Sequence, residues 1–246
     1  MANHWFQFKQ FRIEQDKCAM KVSTDACIQG AWTAESWIAH STPSKDLRVL
    51  DIGTGTGLLA LMLAQTFPQA NIDAVELEPG AALQATHNFQ HSPWSTQLQL
   101  HHLSVHQLQT SQPYVYIICN PPFFNNDLKN NNPERRVARH ADGLTKQELA
   151  QQVKRLLAAD GIFSVMYPAI AWQEWQTAAS SNGLYLWKKL EVIPKPGMAA
   201  NRFIALYKKI VSPQPQYHSL EIYSSTGKYS TAFSTLMKPY YLNEFV

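Results

Sequence analysis

The stretch VLDIGTGTG (residues 49–57) decides the fold, because it joins a buried strand to a glycine-rich turn. Its apolar start is typical of a strand inside a sheet. Three glycines at alternate positions, Gly53, Gly55 and Gly57, then lead into the apolar pattern of residues 58–67, which predicts a helix. A strand that passes through a glycine turn into a helix is the first unit of an open α/β sheet.

Strand and helix patterns alternate outward from this unit, between positions 47 and 209. Seven strand patterns occur there, and helical patterns separate most of them, although none lies between the third and the fourth (96–103 and 114–119). The last two (184–194 and 201–209) also have no helix between them, which predicts an antiparallel, hairpin-like pair at an edge of the sheet. Thr145 and Glu148 form a capping-box pattern at the start of the clearest helix. We therefore predict a Rossmann-like α/β fold with a seven-stranded, mostly parallel sheet and an antiparallel last strand.

The composition is that of an ordinary globular protein, with 246 residues, of which 45% are hydrophobic and 16% charged. We expect a single domain (1–246) made of an N-terminal addition (1–46), a core (47–209) and a C-terminal extension (210–246). No apolar run approaches the ~20 residues of a membrane span, and the N-terminus lacks the pattern of a secretory signal. Three cysteines without a CxxC pair indicate reduced thiols in the cytoplasm and no disulfide framework.

The residues around the glycine turn indicate which ligand it can hold. The dinucleotide fingerprint GxGxxG would require glycine at the position of Leu58. Asp51 at the strand end would repel a pyrophosphate, so the pattern favours a ligand with an ammonium group and no phosphate. Glu76 closes the next strand, where a carboxylate can accept hydrogen bonds from both hydroxyls of a ribose. These features favour S-adenosylmethionine, and the sequence resembles the class I S-adenosylmethionine-dependent methyltransferases.

The second motif is CNPPFF (residues 119–124), which follows an apolar strand pattern. Two prolines cannot extend that strand, because each lacks a backbone donor and fixes its own φ. In the class I methyltransferases, an [Asn/Asp]-Pro-Pro-[Tyr/Phe] motif after the fourth strand marks enzymes that methylate an amine conjugated to a planar system. The tetrapeptide that begins at Asn120 matches this motif at every position.

The chemistry of amine methylation explains why these residue types stand together. The lone pair of an adenine amine is delocalised into the ring, which makes the nitrogen a poor nucleophile. The side-chain oxygen of Asn120 and the backbone oxygen of Pro121 can each accept one N–H bond, which draws the nitrogen toward a tetrahedral geometry. We therefore predict Asn120, Pro121 and Phe123 as catalytic residues, with Phe123 and Phe124 stacking on or touching the substrate base.

A closer resemblance covers nearly the whole chain. The motif NPPFF and the stretches KCAMKVSTDACIQGAW (17–32), RRVARHADGLT (135–145) and STGKYSTAFSTLMKPYYL (225–242) are together similar to the bacterial tRNA adenine-N6 methyltransferases. Members of that family modify the adenosine on the 3′ side of the anticodon in one valine tRNA. The resemblance implies a cytoplasmic enzyme with S-adenosylmethionine as cofactor and the anticodon loop of a tRNA as partner.

The family pattern also places the remaining cofactor residues. An acidic residue usually follows the third strand and contacts the cofactor's adenine, but Ser104 stands at that position in this chain. A serine can still donate or accept a hydrogen bond, so binding can be weaker without being lost. The predicted cofactor-binding residues are Asp51, Gly53, Gly55, Gly57, Glu76, Ser104 and Asn120.

A basic segment follows the catalytic motif, because residues 129–155 hold seven basic and three acidic side chains. Arg135, Arg136 and Arg139 are expected to bind RNA phosphates near a splayed-out adenosine. A solvated helix face is the alternative. We predict no metal site, because His101 and His102, as neighbours on a strand, point to opposite faces.

Other functions remain open from the residues alone. Enzymes that methylate ribosomal RNA, a DNA base or a protein glutamine use the same motif. Outside enzymes, the alternative is an RNA chaperone that binds the cofactor without turnover, although binding alone does not require the acceptors of Asn120 and Pro121. An oxidoreductase is disfavoured by Leu58 and Asp51.

Overall fold

The computed structural model describes residues 3–18, 20–40, 46–121 and 144–242. In this part of the chain the strands are β1 (Trp5–Gln7), β2 (Arg12–Glu14), β3 (Arg48–Ile52), β4 (Asn71–Glu76), β5 (Leu98–His102), β6 (Tyr114–Cys119), β7 (Leu157–Pro168), β8 (Tyr185–Ile193), β9 (Arg202–Lys208) and β10 (Gln216–Glu221). The α-helices are α1 (Thr24–Ile38), α2 (Leu58–Thr66), α3 (Pro79–Gln90), α4 (Lys146–Leu156), α5 (Trp172–Ser181) and α6 (Thr231–Met237), and a 3₁₀ helix covers Ala169–Ala171.

Eight of these strands form one sheet, in the order β10-β8-β9-β7-β6-β3-β4-β5. Among the described strands of this sheet, only β9 runs antiparallel to its neighbours, β7 and β8. The predicted Rossmann-like α/β fold is therefore confirmed. The sheet has one strand more than the seven predicted, because β10, expected as a short strand of the C-terminal extension, pairs in parallel with β8. The β8–β9 pair is antiparallel as predicted, but it lies inside the sheet and not at its edge, because β10 pairs with the outer side of β8 and β9 pairs with β7.

Helices cover both faces of the sheet, as its apolar central strands require. On one face, α1, α2 and α6 contribute buried side chains such as Trp37, Leu61 and Phe233. On the other face, α4 and α5 contribute Val153 and Trp175. Among the helices of the described residues, none has the length and apolar character needed to cross a lipid bilayer.

The N-terminal and C-terminal segments meet on the α1 side of the sheet. Phe8 is fully buried and forms an isolated antiparallel bridge with Tyr241. The hydroxyl of Tyr240 lies 3.0 Å from Thr66 Oγ1 at the end of α2. Both segments thus contribute to the same hydrophobic core as α1 and α2.

The order of the strands reverses between β3 and β6. The chain passes from β3 to β4 and β5 on one side, and then returns to β6 on the other side of β3. Ligands of open α/β sheets bind at such a switch point, beyond the carboxyl ends of the strands. Ile52 lies opposite Cys119 in the β3–β6 register, so the glycine turn and the turn at Asn120 leave the sheet side by side.

Candidate active site

The glycine turn after β3 has a backbone that side chains disfavour. Gly53, Gly55 and Gly57 have φ angles of +68°, +58° and +85°. A Cβ at Gly57 would lie 2.5 Å from the ring of Phe89, whereas a Cβ at Gly53 would meet nothing within 4 Å. Gly57 is therefore required by packing against α3 as well as by its conformation. Gly53 leaves open space beside the backbone, which a ligand can approach closely.

Asp51 is fully buried and binds both the turn and the helix that follows it. Its Oδ2 accepts hydrogen bonds from Thr54 Oγ1 (2.6 Å) and from the backbone N–H of Ala60 (3.2 Å). Gly57, the N-cap of α2, has no side chain to cap the helix, so Asp51 satisfies one of the free N–H groups of the first turn. Asp51 Oδ1 has no hydrogen-bond partner among the described residues.

Burial raises the pKa of Asp51 to about 7, and the nearby charge of Glu76 acts in the same direction. The two hydrogen bonds to Oδ2 oppose this rise, because they stabilise the carboxylate form. A cation beside Oδ1 would also favour the carboxylate form. The Asp51 side chain is thus suited to bind a positively charged donor.

Glu76 connects the end of β4 to the glycine turn. Its Oε2 accepts from the N–H of Gly55 (2.9 Å). Its Oε1 accepts from the N–H groups of Leu77 (2.8 Å) and Glu78 (2.9 Å). A carboxylate offers about four acceptor positions, so the half-buried side chain keeps some capacity for a further donor. Glu76 therefore shapes the turn in addition to its predicted contact with a ribose.

Asn120 and Pro121 follow the end of β6 at the same edge of the sheet. Asn120 Oδ1 is buried and has no hydrogen-bond partner within the described residues. An unpaired buried oxygen costs free energy in a folded protein, so its position is one where a donor from a ligand fits. The other predicted substrate residues lie outside the described part of the chain, and their roles stay predictions: Phe123, Phe124, Arg135, Arg136 and Arg139.

Ser104 lies two positions beyond the end of β5, at the carboxyl edge where the sequence predicted it. Its backbone N–H donates to Gln107 Oε1 (3.1 Å), and its Oγ accepts from the N–H of His106 (3.4 Å). These bonds form a turn in which Ser104 is half-buried. Its hydroxyl is thus engaged with the protein backbone.

Arg155 holds the same turn from α4, which the sequence did not indicate. Its guanidinium donates to the carbonyl oxygens of Val105 and Leu108, both at 3.0 Å. Lys146, at the start of the same helix, pairs with Glu174 at 2.6 Å. These two members of the basic segment contact the protein itself, so the predicted RNA contact rests on the segment's other basic residues.

The histidine-rich strand β5 takes part in a polar network on the sheet. His101 Nε2 lies 2.9 Å from Asp73 Oδ1. Asp73 Oδ2 accepts from Arg48 (2.9 Å) and from the hydroxyl of Tyr114 (2.7 Å). In the ranges that the structure describes, no group of three His, Cys, Asp or Glu side chains is placed to hold a metal ion.

Two solved structures with a similar fold are named as methyltransferases. A predicted O-methyltransferase of Agrobacterium tumefaciens has a TM-score of 0.66 at 14% sequence identity, over 87% of this chain and 95% of that chain. The human methyltransferase 10 domain containing protein has a TM-score of 0.53 at 19% identity, over 78% of this chain and 86% of that chain. At these identities the likeness concerns the fold alone.

One family model and the curated relatives give a more specific assignment than the solved structures do. The model of the methyltransferase small domain matches residues 35–165. The tRNA1(Val) (adenine(37)-N6)-methyltransferase of Pseudoalteromonas translucida is 39% identical over 237 residues, which are 96% of this chain and 98% of that protein. A protein of the same name from Yersinia pestis is 36% identical over 97% of this chain and 94% of its own length. The chain therefore belongs to the methyltransferase small domain family and, within it, to the tRNA1(Val) (adenine(37)-N6)-methyltransferases.

Proposed function

We propose that this protein transfers the methyl group of S-adenosylmethionine to N6 of an adenosine in tRNA, and that this adenosine is position 37 of a valine tRNA. The observation that carries the proposal is Asn120 Oδ1, buried and unpartnered among the described residues, because the N–H of an amine would satisfy it. The names of the relatives support the tRNA and the position.

The proposal includes the anticodon loop as the bound part of the tRNA and the cytoplasm as the place of reaction. Position 37 lies on the 3′ side of the anticodon, so the loop must reach the edge of the sheet where Asn120 lies. The three cysteines, Cys18, Cys27 and Cys119, are free thiols, which supports a reducing compartment.

The residues at this edge fit S-adenosylmethionine. The space beside Gly53 allows close approach to the backbone. Asp51 Oδ1 would accept from the ammonium group of the cofactor, Glu76 would accept from its ribose hydroxyls, and Ser104 would lie at its adenine. When bound, the cofactor supplies a methyl group on a positively charged sulfur, which makes the methyl carbon electrophilic.

Asn120 and Pro121 act on the amine that receives the methyl group. The adenine amine donates one N–H to Asn120 Oδ1 and the other to the carbonyl oxygen of Pro121. Two acceptors on one side draw the nitrogen out of the ring plane and direct its lone pair to the opposite side. Both oxygens are fixed at the end of a strand before the reaction, so little reorganisation is needed. The methylated nitrogen is cationic and acidic, and it releases its proton to water without a strong general base.

The class of molecule that becomes methylated tests the proposal. With labelled S-adenosylmethionine, tRNA from cells that lack this enzyme should take up label, while ribosomal RNA, DNA and translation factors should not. Label in one of these other substrates and none in tRNA would identify a different substrate. Label in none of them would favour an RNA chaperone without turnover.

We expect the variants Asp51→Asn and Glu76→Ala to raise the dissociation constant of the cofactor by roughly tenfold to a hundredfold. A lost charge-assisted hydrogen bond is worth about 1.5–3 kcal/mol, which accounts for this range. Isothermal titration calorimetry with each variant measures it. Unchanged dissociation constants in both variants would contradict the assignment of the cofactor site.

Although Asp51→Asn should weaken cofactor binding, it should raise the free energy of unfolding of the ligand-free protein at high pH. The folded-state pKa of Asp51 is raised from 3.8 to about 7, so the folded state takes up a proton more readily than the unfolded state between these values. The free energy of unfolding that this group contributes therefore falls as pH rises through this window. The asparagine variant should gain about 1–4 kcal/mol over wild type at pH 8.5, and the gain should shrink toward pH 4. Urea unfolding at several pH values measures it.

Replacing Arg135, Arg136 and Arg139 together by alanine is expected to weaken tRNA binding without changing cofactor affinity. Each phosphate contact in single-stranded RNA adds about 0.7 to the slope of log affinity against log salt, so three lost contacts flatten it by up to about 2. Fluorescence anisotropy at several salt concentrations measures the slope. The control Lys146→Ala, whose ammonium pairs with Glu174 at 2.6 Å, should leave it unchanged. An unchanged slope in the triple variant would identify the segment as a solvated face.

A further inference from the structure

Gln29 connects helix α1 to the last residue of the strand that precedes Asn120. The side chain is fully buried, and its Nε2 donates a hydrogen bond of 2.9 Å to the carbonyl oxygen of Cys119, 90 positions away in the sequence. Cys119 is the final residue of β6, and Asn120 follows it directly. The contact therefore acts on the peptide unit from which Asn120 extends.

A glutamine at position 29 lowers the free energy of unfolding relative to an apolar residue of the same size. Its Oε1 is buried and has no hydrogen-bond partner among the described residues. Leaving a buried amide oxygen unpaired costs free energy, whereas methionine has a similar volume and no such cost. Core packing alone therefore does not account for a glutamine at this position. Its one polar contact in the described residues is the bond to Cys119.

The covalent geometry explains how this bond affects the site. The carbonyl group of Cys119 and the N–H of Asn120 belong to one planar peptide unit, so fixing the direction of the carbonyl fixes the plane. Asn120 also precedes Pro121, which restricts the backbone of Asn120 to extended conformations. With the plane fixed on one side and the proline on the other, the Asn120 side chain leaves the backbone in one direction.

We propose that Gln29 is a positioning residue for methyl transfer, which holds Asn120 Oδ1 where the adenine amine donates to it. The proposal rests on the proposed function, because it concerns the geometry of the amine acceptor. Gln29 itself touches neither the substrate nor the cofactor in this scheme. Its loss should lower kcat and leave the binding of both ligands close to normal.

The chain offers a matched control one turn further along α1. Thr33 Oγ1 and Ser164 Oγ lie 2.7 Å apart and are both buried, so this pair also links α1 to the sheet through a polar contact. Ser164 lies inside β7, four positions before the end of that strand. Thr33→Val removes this link without disturbing the peptide unit next to Asn120.

The experiment compares Gln29→Met, Gln29→Glu and Thr33→Val with wild type. For Gln29→Met we expect a tenfold to hundredfold lower kcat, with KM for tRNA and the dissociation constant of the cofactor within about threefold, because a misplacement of about 1 Å can cost a factor of about a hundred. Thr33→Val should keep kcat within about twofold, even where its melting temperature falls as far as that of Gln29→Met.

Gln29→Glu adds a readout that a merely structural role would not change. A glutamic acid can donate to the Cys119 carbonyl only when it is protonated. The ratio of its kcat to that of wild type should therefore rise as pH falls, while the ratio for Thr33→Val stays flat. If Gln29→Met does not fold, the pH dependence of the Gln29→Glu ratio decides whether Gln29 is a positioning residue.

The outcomes separate this proposal from the proposed function. Three results would each overturn the role of Gln29. They are a wild-type kcat in Gln29→Met, an equal loss of kcat in Gln29→Met and Thr33→Val, and a kcat ratio for Gln29→Glu that does not change with pH. Each of these results leaves tRNA methylation by the wild type intact. A wild-type protein that methylates no tRNA would contradict the proposed function and, with it, the role of Gln29.

Discussion

Replacing Asn120 by alanine is expected to lower kcat for methyl transfer by about a hundredfold to a thousandfold. Removing one preorganised hydrogen-bonding group from a site that stabilises a transition state typically has an effect of this size. Asn120 Oδ1 is buried and has no hydrogen-bond partner among the described residues, so it is free to accept from the amine, and alanine removes that acceptor. Cofactor affinity should change by no more than a few fold, because Asp51, Glu76 and the glycine turn remain.

The control for this prediction is Asn120→Asp, which keeps an acceptor oxygen at the same position. The family motif allows either residue there, so this variant should retain more activity than Asn120→Ala. Single-turnover assays with saturating cofactor, together with calorimetry, separate the chemical step from binding. Turnover of Asn120→Ala within tenfold of wild type would remove Asn120 from the mechanism.

The variant Gly57→Ala is expected to lower the free energy of unfolding by about 2–4 kcal/mol, which corresponds to a loss of about 5–15 °C in Tm for a chain of this size. A left-handed backbone costs an L-residue about 1–2 kcal/mol, and Gly57 has φ = +85°. In addition, the new Cβ would lie 2.5 Å from the ring of Phe89, so α3 or the turn must shift.

Gly53→Ala provides the comparison, because it has a similar backbone without the steric conflict. Gly53 has φ = +68°, and a Cβ there would meet nothing within 4 Å. Its methyl group should cost less stability than that of Gly57→Ala, and it should reduce cofactor affinity by filling the open space. Combining Gly57→Ala with Phe89→Leu should recover part of the lost stability. If both single variants lose the same stability and the double variant recovers none of it, the contact with Phe89 is unimportant.

Local patterns in the sequence were enough to predict the central fold. The strand, the glycine turn and the helix of residues 49–67 each depend on nearby residues, and all three occur as expected. The capping box is also confirmed, since Thr145 Oγ1 accepts from the N–H of Glu148 at 3.2 Å while Glu148 accepts from the N–H of Thr145 at 2.8 Å.

Features that depend on distant parts of the chain were not predictable in this way. The sequence indicated a strand in the C-terminal extension, but it did not indicate that β10 pairs with β8 and enlarges the sheet. Arg155 was counted in a basic segment, whereas its guanidinium binds two carbonyl oxygens of the turn after β5. Both contacts join residues that only the fold brings together.

The same distinction between local patterns and long-range contacts applies to the candidate site. The residue types of Asp51 and Glu76 predicted a ligand with ammonium and hydroxyl donors. The strand order places Asp51 on the strand next to the one that precedes Asn120, and Glu76 one strand further along the same edge. Their contacts with the protein itself were missed: Asp51 caps α2, and Glu76 accepts from the N–H of Gly55. The contact of Gln29 with Cys119 was missed because it joins residues 90 positions apart, and nothing in the local pattern of α1 indicates it.

One measurement tests the central claim most directly, namely the identity and position of the modified nucleoside. Total tRNA from cells that lack this enzyme is incubated with the wild-type protein and labelled S-adenosylmethionine, and the labelled RNA is digested and analysed by mass spectrometry. We expect N6-methyladenosine at position 37 of a valine tRNA, and an initial rate of labelling with Asn120→Ala that is lower by about a hundredfold or more. A methyl group on another base or at another position, or equal labelling by Asn120→Ala, would contradict the proposed function.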